Sequence, residues 1–213
     1  MTPEEVPKDL IVLAADPSME VTLKQVLKRH QALGIRGISH DVVPHPERDP
    51  GVFQGAHNFL RAQRRNYHHA LAICDRHGCG KEKLSREQLE TIIDVNLSID
   101  WDDRAAAVVI DPELENWLWT DSPHVAQALG WTDAMPDLRA WLRKEGLLEE
   151  GQAKPTDPKA ALERALRLTK KHKSSSLFES LASKVSLRSC TDPAFRKLTA
   201  TLQRWFPAAD IWS

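Results

Sequence analysis

Cysteine is scarce in this chain, and its three copies (Cys74, Cys79 and Cys190) are odd in number and follow no framework spacing. That pattern suits a reducing compartment and excludes a disulfide scaffold. No apolar run approaches the ~18–20 residues that cross a bilayer, so no membrane partner is expected. The opening stretch MTPEEVPKDL is acidic and lacks the basic-then-apolar order of a secretory signal, which makes a cytoplasmic address the expectation. Excess charge is missing too: 29 Lys and Arg stand against 30 Asp and Glu. Whole-surface attraction to polyanions is thereby excluded, and any nucleic-acid contact must be a local patch. Internal repeats and low-complexity tracts are absent. What is present, 41% hydrophobic and 28% charged residues over 213 positions, is the composition of a globular protein with room for one sizeable domain and an appendage.

Four apolar runs alternate with helical patterns in the first half. Leu10–Ala15 reads as a strand, followed by a helix over Val21–His30 that Asp16 or Ser18 can cap. Gly34 reads as its stop and Ile35–Val43 as a second strand, closed by the proline-rich loop PHPERDPG. A helix over Val52–Tyr67 ends in Arg61, Arg64 and Arg65, and Ala70–Cys74 is the third strand. Ser85 and Gln88 have capping-box spacing before a helix to about Leu97, and Ala105–Ile110 is the fourth strand. Strand–helix alternation of this kind predicts a mostly parallel, four-stranded α/β sheet flanked by helices. Beyond about residue 120 only helical patterns follow: Ser122–Leu129, Pro136–Glu145, Ala160–Lys170, Leu177–Val185 and Pro193–Phe206. The expected organisation is an α/β domain over 1–120 and a helical extension over 121–213 packed on it.

Acidic residues recur where strands end. Asp16 and Glu20 follow the first strand at i, i+4. Asp75 ends the third, inside HALAICDRHGCG, and Asp111, Glu113 and Glu115 follow the fourth. In a parallel sheet these clusters emerge on one edge, where ligands and metals collect. A hard divalent ion takes one or two such carboxylates and leaves room for phosphate oxygens. Helix capping is the competing explanation for acids at these positions.

The order strand–acid-x-x-x-Glu–helix, a later strand ending in Asp, and a strand followed by PELENW resembles the Toprim-like proteins, the metal-dependent fold of primases, type IA topoisomerases and overcoming-lysogenization nucleases. DRHGCG, PELENWLW and the terminal KSSSLFESLASKVSL resemble small Toprim-like proteins of bacterial anti-phage defence islands, one group of which is a component of methylation-associated defence systems. The resemblance spans about residues 10–206. It implies a Mg²⁺ or Mn²⁺ site held by Asp16, Glu20, Asp75 and Glu115, with Asp75, His77 and Glu20 in catalysis. Asp16 stands where the family usually has its first glutamate, and His77 replaces the second aspartate of its Asp-x-Asp. Histidine suits Mn²⁺ better than Mg²⁺ and can carry a proton near neutral pH. Other defence proteins are the implied partners.

Two function classes follow: a metal-dependent nuclease or phosphoryl-transfer enzyme, and an inactive scaffold that binds a defence partner or nucleic acid. The phosphate-binding candidates are Arg164, Arg167, Lys170, Lys171 and Lys173, continued by Lys184 and Arg188, with Arg64 and Arg65 as a second group. Ser174–Ser176 can add hydroxyl donors. Cys74, His77 and Cys79 offer three zinc-type ligands, one short of a structural site, and Cys79 with a histidine offers a nucleophile. The seven tryptophans are expected mainly in the core.

Overall fold

Alternating apolar runs and helices become one parallel sheet in the computed structural model, which describes residues 6–184 and 190–208. Strands β1 (Lys8–Ala14), β2 (His40–Pro44), β3 (Tyr67–Asp75) and β4 (Ala105–Ile110) lie in the order β2-β1-β3-β4. Each neighbouring pair is parallel. The interior residues of β1, β3 and β4 are buried without alternation, because helices cover both faces of a parallel sheet. The protein is therefore α/β, with a four-stranded sheet flanked by helices and a helical C-terminal region, an arrangement consistent with a Toprim-like fold.

The helices of the first half are α1 (Pro17–Lys28), α2 (His30–Leu33), α3 (Arg48–Arg61) and α4 (Arg86–Trp101). After β4 come α5 (Glu115–Leu118), α6 (Pro123–Leu129), α7 (Leu138–Lys144), α8 (Pro158–Thr169), α9 (Ser175–Lys184) and α10 (Pro193–Trp205). Right-handed crossovers send α1 to one face and α3 and α4 to the other. The packing agrees: α3 lies against α4, whereas α1 lies against α9 and α10 reaches α2. One hydrophobic core runs from Leu10 to Phe206 and includes Trp101, Trp117, Trp119 and Trp141. Trp212 lies outside the described residues.

Local chemistry sets the helix ends. The Asp16 Oδ1 accepts from the Met19 amide at 2.8 Å, and Ser85 with Gln88 forms the capping box anticipated from their spacing. Several boundaries move. The segment 35–39 is not strand, because Ile35 bridges Pro207 and the Ser39 amide is taken by Asp9 at 2.8 Å. β3 begins earlier, at Tyr67, whose hydroxyl reaches Asp41 at 2.5 Å. α3 starts at Arg48 rather than Val52. The last residue of the expected helix over Leu177–Val185 lies outside the described residues.

β4 is an edge strand, and its outward amides are masked by side chains rather than by another strand. Glu90 accepts from the Val109 amide at 3.0 Å and Asp94 from the Ala107 amide at 2.5 Å. Arg86 grips Glu90 at 2.8 Å, and Lys197 of α10 reaches Glu90 at 3.3 Å and Asp94 at 3.1 Å. Carboxylates held in this way remove a template for unwanted pairing. Glu90→Ala leaves the buried Val109 amide without its acceptor and takes one of two carboxylates from Arg86 and from Lys197, and is expected to cost about 3 kcal/mol in denaturant unfolding. A loss within experimental error would show that the edge needs no mask.

Candidate functional site

Register brings the strand ends to one level. Ala14 pairs with Ile73 and with Pro44, and Asp75 with Ile110. The residues that follow all four strands therefore leave the sheet along one rim. A cleft of about 270 Å³ opens there, and its lining includes Asp16, Arg48, Asp49, Asp75, His77, Glu113, Glu115, Lys159 and Lys173.

Asp75 closes β3. Its Oδ1 is buried without a hydrogen-bond partner. Burial pushes its carboxyl well above the usual range, and the charges of Asp49 and Glu115 push the same way, against a partial pull from the Leu114 amide. Asp49, in the first turn of α3, accepts from the Asp75 amide at 2.7 Å and so ties the β2–α3 junction to β3. Burial raises the Asp49 carboxyl, the Asp75 amide opposes it, and Asp16 adds to the rise. The chain turns tightly before Asp49: Arg48 holds a left-handed φ of 54°, and a Cβ on Gly51 would meet the His45 ring at 2.1 Å. Such backbone strain in a non-glycine residue persists only where its surroundings enforce it.

Two glutamates arrive from the loop after β4. Glu113 has a buried, unpartnered Oε2, while its Oε1 lies 3.4 Å from Lys159 Nζ and 3.7 Å from His77 Nδ1. Glu115 is 4% exposed and ion-paired with Lys173. Desolvation pulls the Lys159 ammonium down, but Glu113 and Glu115 outweigh it and raise its pKa overall. The short α5 that carries Glu115 is bolted down by its next two residues. Asn116 Nδ2 and Trp117 Nε1 donate to the buried Asp192 at 2.7 and 2.9 Å, and Asp192 also caps α10.

Asp16, Asp75, His77 and Glu115 are thus brought together. Glu20 is not: it extends along α1 to Lys24 at 2.5 Å and does not line the cleft. Asp111 turns to Arg76 at 2.8 Å. The basic candidates do not form one patch. Lys173 is in the cleft, whereas Lys171 binds the Ala128 carbonyl at 3.0 Å beside a separate groove with Ser174 and Ser176. Arg164 pairs with Glu145, Arg167 lies in the last turn of α8, and Lys170 is its left-handed C-cap. Arg64 and Arg65 flank a hollow with Arg61 and Asp100, before β3 and so at the opposite rim. Arg188 lies outside the described residues. Cys74 and Cys79 are buried and burial raises both thiols, the reverse of an activated nucleophile.

Among the described residues no three His, Cys, Asp or Glu groups stand close enough to hold a metal ion as they are placed. Comparison with protein-family models, curated proteins and solved structures finds no match. What the cleft can do must therefore be read from its own atoms. Its candidate donors are carboxylate oxygens, two of them buried and unpartnered, a set that fits a hard divalent cation rather than a soft one. Asp49, Arg48 and Lys159 escaped the sequence reading; the signal was Asp-Pro in a helix's first turn, hidden inside a proline-rich loop.

Raised carboxyls give this site a pH signature. A folded state that keeps Asp75 protonated above 3.8, its ordinary value, binds more protons than the unfolded chain. Stability without divalent ions must then fall as pH rises from 3.8 towards the raised value. Asp75→Asn removes that contribution. The variant is expected to gain on the wild type as pH rises, measured as the difference in urea unfolding at acid and neutral pH; a constant difference would contradict the burial argument.

Proposed function

We propose that the rim cleft binds a divalent cation, Mg²⁺ or Mn²⁺, and performs phosphoryl transfer on nucleic acid or a nucleotide, in the anti-phage defence setting that the sequence resemblance implies. The observation that carries this reading is the buried, unpartnered Oδ1 of Asp75 facing a cleft that also holds Asp16, Asp49, Glu113 and Glu115. Like charges gathered in a partly dry site are costly unless a cation joins them.

Asp75, Asp16 and Glu115 would hold the ion, with Asp49 and Glu113 beside them. When bound, such an ion polarises a phosphoryl oxygen and acidifies water. Arg48, exposed in the cleft lining, and Lys159 can take the charge of the phosphate. His77, half exposed and 3.7 Å from Glu113, is placed to accept or return a proton. Glu115 must turn from Lys173 to serve a cation, which frees that ammonium for the substrate.

A second reading keeps the same cleft without turnover, as a scaffold that binds a defence partner or nucleic acid. It is favoured by Lys159 and Lys173, which already neutralise Glu113 and Glu115. Thermal shift with Mn²⁺ and Mg²⁺ separates the cases. At a hundredfold excess over Kd the ion should add about 2.7 kcal/mol of stability to the wild type and none to Asp75→Ala. Hydrolysis of a phosphodiester that drops about a hundredfold in that variant assigns the enzyme. A shift without hydrolysis assigns the scaffold, and no shift in the wild type removes the metal from both.

A further inference from the structure

The groove between α6 and α9 differs from the other hollows in its charge. It encloses about 440 Å³, and its walls include Gln127, Lys171, His172, Ser176, Ser180 and Lys184, with no carboxylate in the lining. The rim cleft is rich in acids, and the arginine hollow at the opposite rim contains Asp100. Neither ammonium of the groove is cancelled: among the described residues Lys171 and Lys184 pair with no acid. Glu179, the acid of α9, is held by Gln25 of α1 at 2.6 Å and does not line the groove.

Spacing along α9 builds a row of donors. Ser176, Ser180 and Lys184 stand at i, i+4 and i+8, which puts two hydroxyls and an ammonium on one line down the helix. Lys171 belongs to the α6 wall. Its Nζ donates to the Ala128 carbonyl at 3.0 Å, in the last turn of α6, and its stem crosses Gly130, where a Cβ would meet it at 2.7 Å. Carbonyls that end a helix carry partial negative charge. An ammonium seated on one of them turns that wall from repelling an anion to attracting it. Ammonium and hydroxyl groups with no acid among them suit phosphate oxygens, which are charged and only accept.

The groove adjoins the rim cleft. Lys170 ends α8 with a left-handed φ of 56°, and residues 171–174 run on to α9 without regular structure. Lys171, His172 and Ser174 line the groove, while Lys173 lines the cleft and pairs with Glu115. One thickness of chain is thus the wall between them, and the Cα atoms of Lys171 and Lys173 are at most about 7 Å apart. We infer that the α6–α9 groove is a backbone-phosphate subsite, so that the rim cleft works on a nucleic-acid strand running over this wall and not on a free nucleotide. A mononucleotide in the cleft would leave the second set of cations idle, whereas a strand brings a phosphate to each. What concerns the cleft rests on the phosphoryl-transfer reading above; the affinity of the groove does not.

Fluorescence anisotropy of a labelled oligothymidylate of about twelve nucleotides, titrated in EDTA, tests it. The wild type should bind, with an affinity that falls steeply with salt. Lys184→Ala in the groove and Lys173→Ala on the shared wall should each weaken binding about fivefold and flatten the slope of log K against log salt by about 0.7. Ser176→Asp, at an exposed site in the first turn of α9 where an acid favours the helix, should weaken it at least as much in a folded protein. Arg65→Ala, at the opposite rim, should leave it unchanged. A wild type that does not bind overturns the inference, as do equal losses in Lys184→Ala and Arg65→Ala or full affinity in Lys173→Ala. Displacement of the strand by thymidine monophosphate at the same phosphate concentration also overturns it. Displacement by polyglutamate of equal charge does so in favour of an acidic protein partner. Divalent ions are absent throughout, so a wild type that shows no thermal shift with Mn²⁺ would retire the cation and leave the strand site standing.

Discussion

Carboxylates that face one another in a half-dry cleft must be neutralised, protonated or pulled apart, and the C-terminal half of this chain is arranged around that demand. Lys173 stands just before α9 and Lys159 in the first turn of α8, and each delivers an ammonium to a glutamate of the loop after β4. α8 and α9 both pack against α5, which carries Glu115. The helical region therefore does more than enlarge the core. It supplies the positive charge without which the rim, built from five acids of the sheet half, would strain the fold. Asp16 and Asp49 each accept from a backbone amide, yet burial still raises the Asp49 carboxyl and raises that of Asp75 well above the usual range.

The PELENW run shows how closely site and scaffold are interleaved. Neighbouring residues take different duties: Glu113 and Glu115 line the cleft, while Leu114 and Trp117 are part of the core. Asn116 uses its side chain on Asp192 and its carbonyl on Lys154 at 2.6 Å. Trp117 donates its indole N–H to the same aspartate, and its ring meets Phe195 edge-on at 5.2 Å. A helix of four residues has too few internal hydrogen bonds to hold itself. These tertiary contacts give Glu115 its position, and they come from parts of the chain 38 and 76 residues away from Asn116.

That distance explains what the sequence showed and what it hid. Strand cores were legible because burial on both faces writes an unbroken apolar run, and β4 was read to the residue. Asp16 and Ser85 were legible as caps because capping is local. Glu20 misled because i, i+4 spacing guarantees a shared helix face but not which neighbour claims the carboxylate; Lys24, four residues on, did so. The strand expected from Ile35 is too long because Ile35 is apolar for a different reason: it is buried in the core, where its backbone bridges Pro207 rather than joining the sheet. Asp49 was hidden by its prolines, which announce a loop and equally a helix start. The basic residues were contiguous in sequence yet dispersed in space, since a helix end and an extended segment point neighbours in different directions.

The lysines also mark out what they do not reach. Lys173 satisfies Glu115 and Lys159 one oxygen of Glu113, yet Asp75 Oδ1 and Glu113 Oε2 stay buried and unpartnered. A purely structural rim would gain from closing those two vacancies with a hydroxyl or an amide, and Ser18 lines the same cleft. Instead the chain holds Asp75 in a state that costs it stability, and fixes its backbone with Asp49. Two buried oxygens without partners, beside carboxylates that have them, are the feature on which the proposed cation site rests.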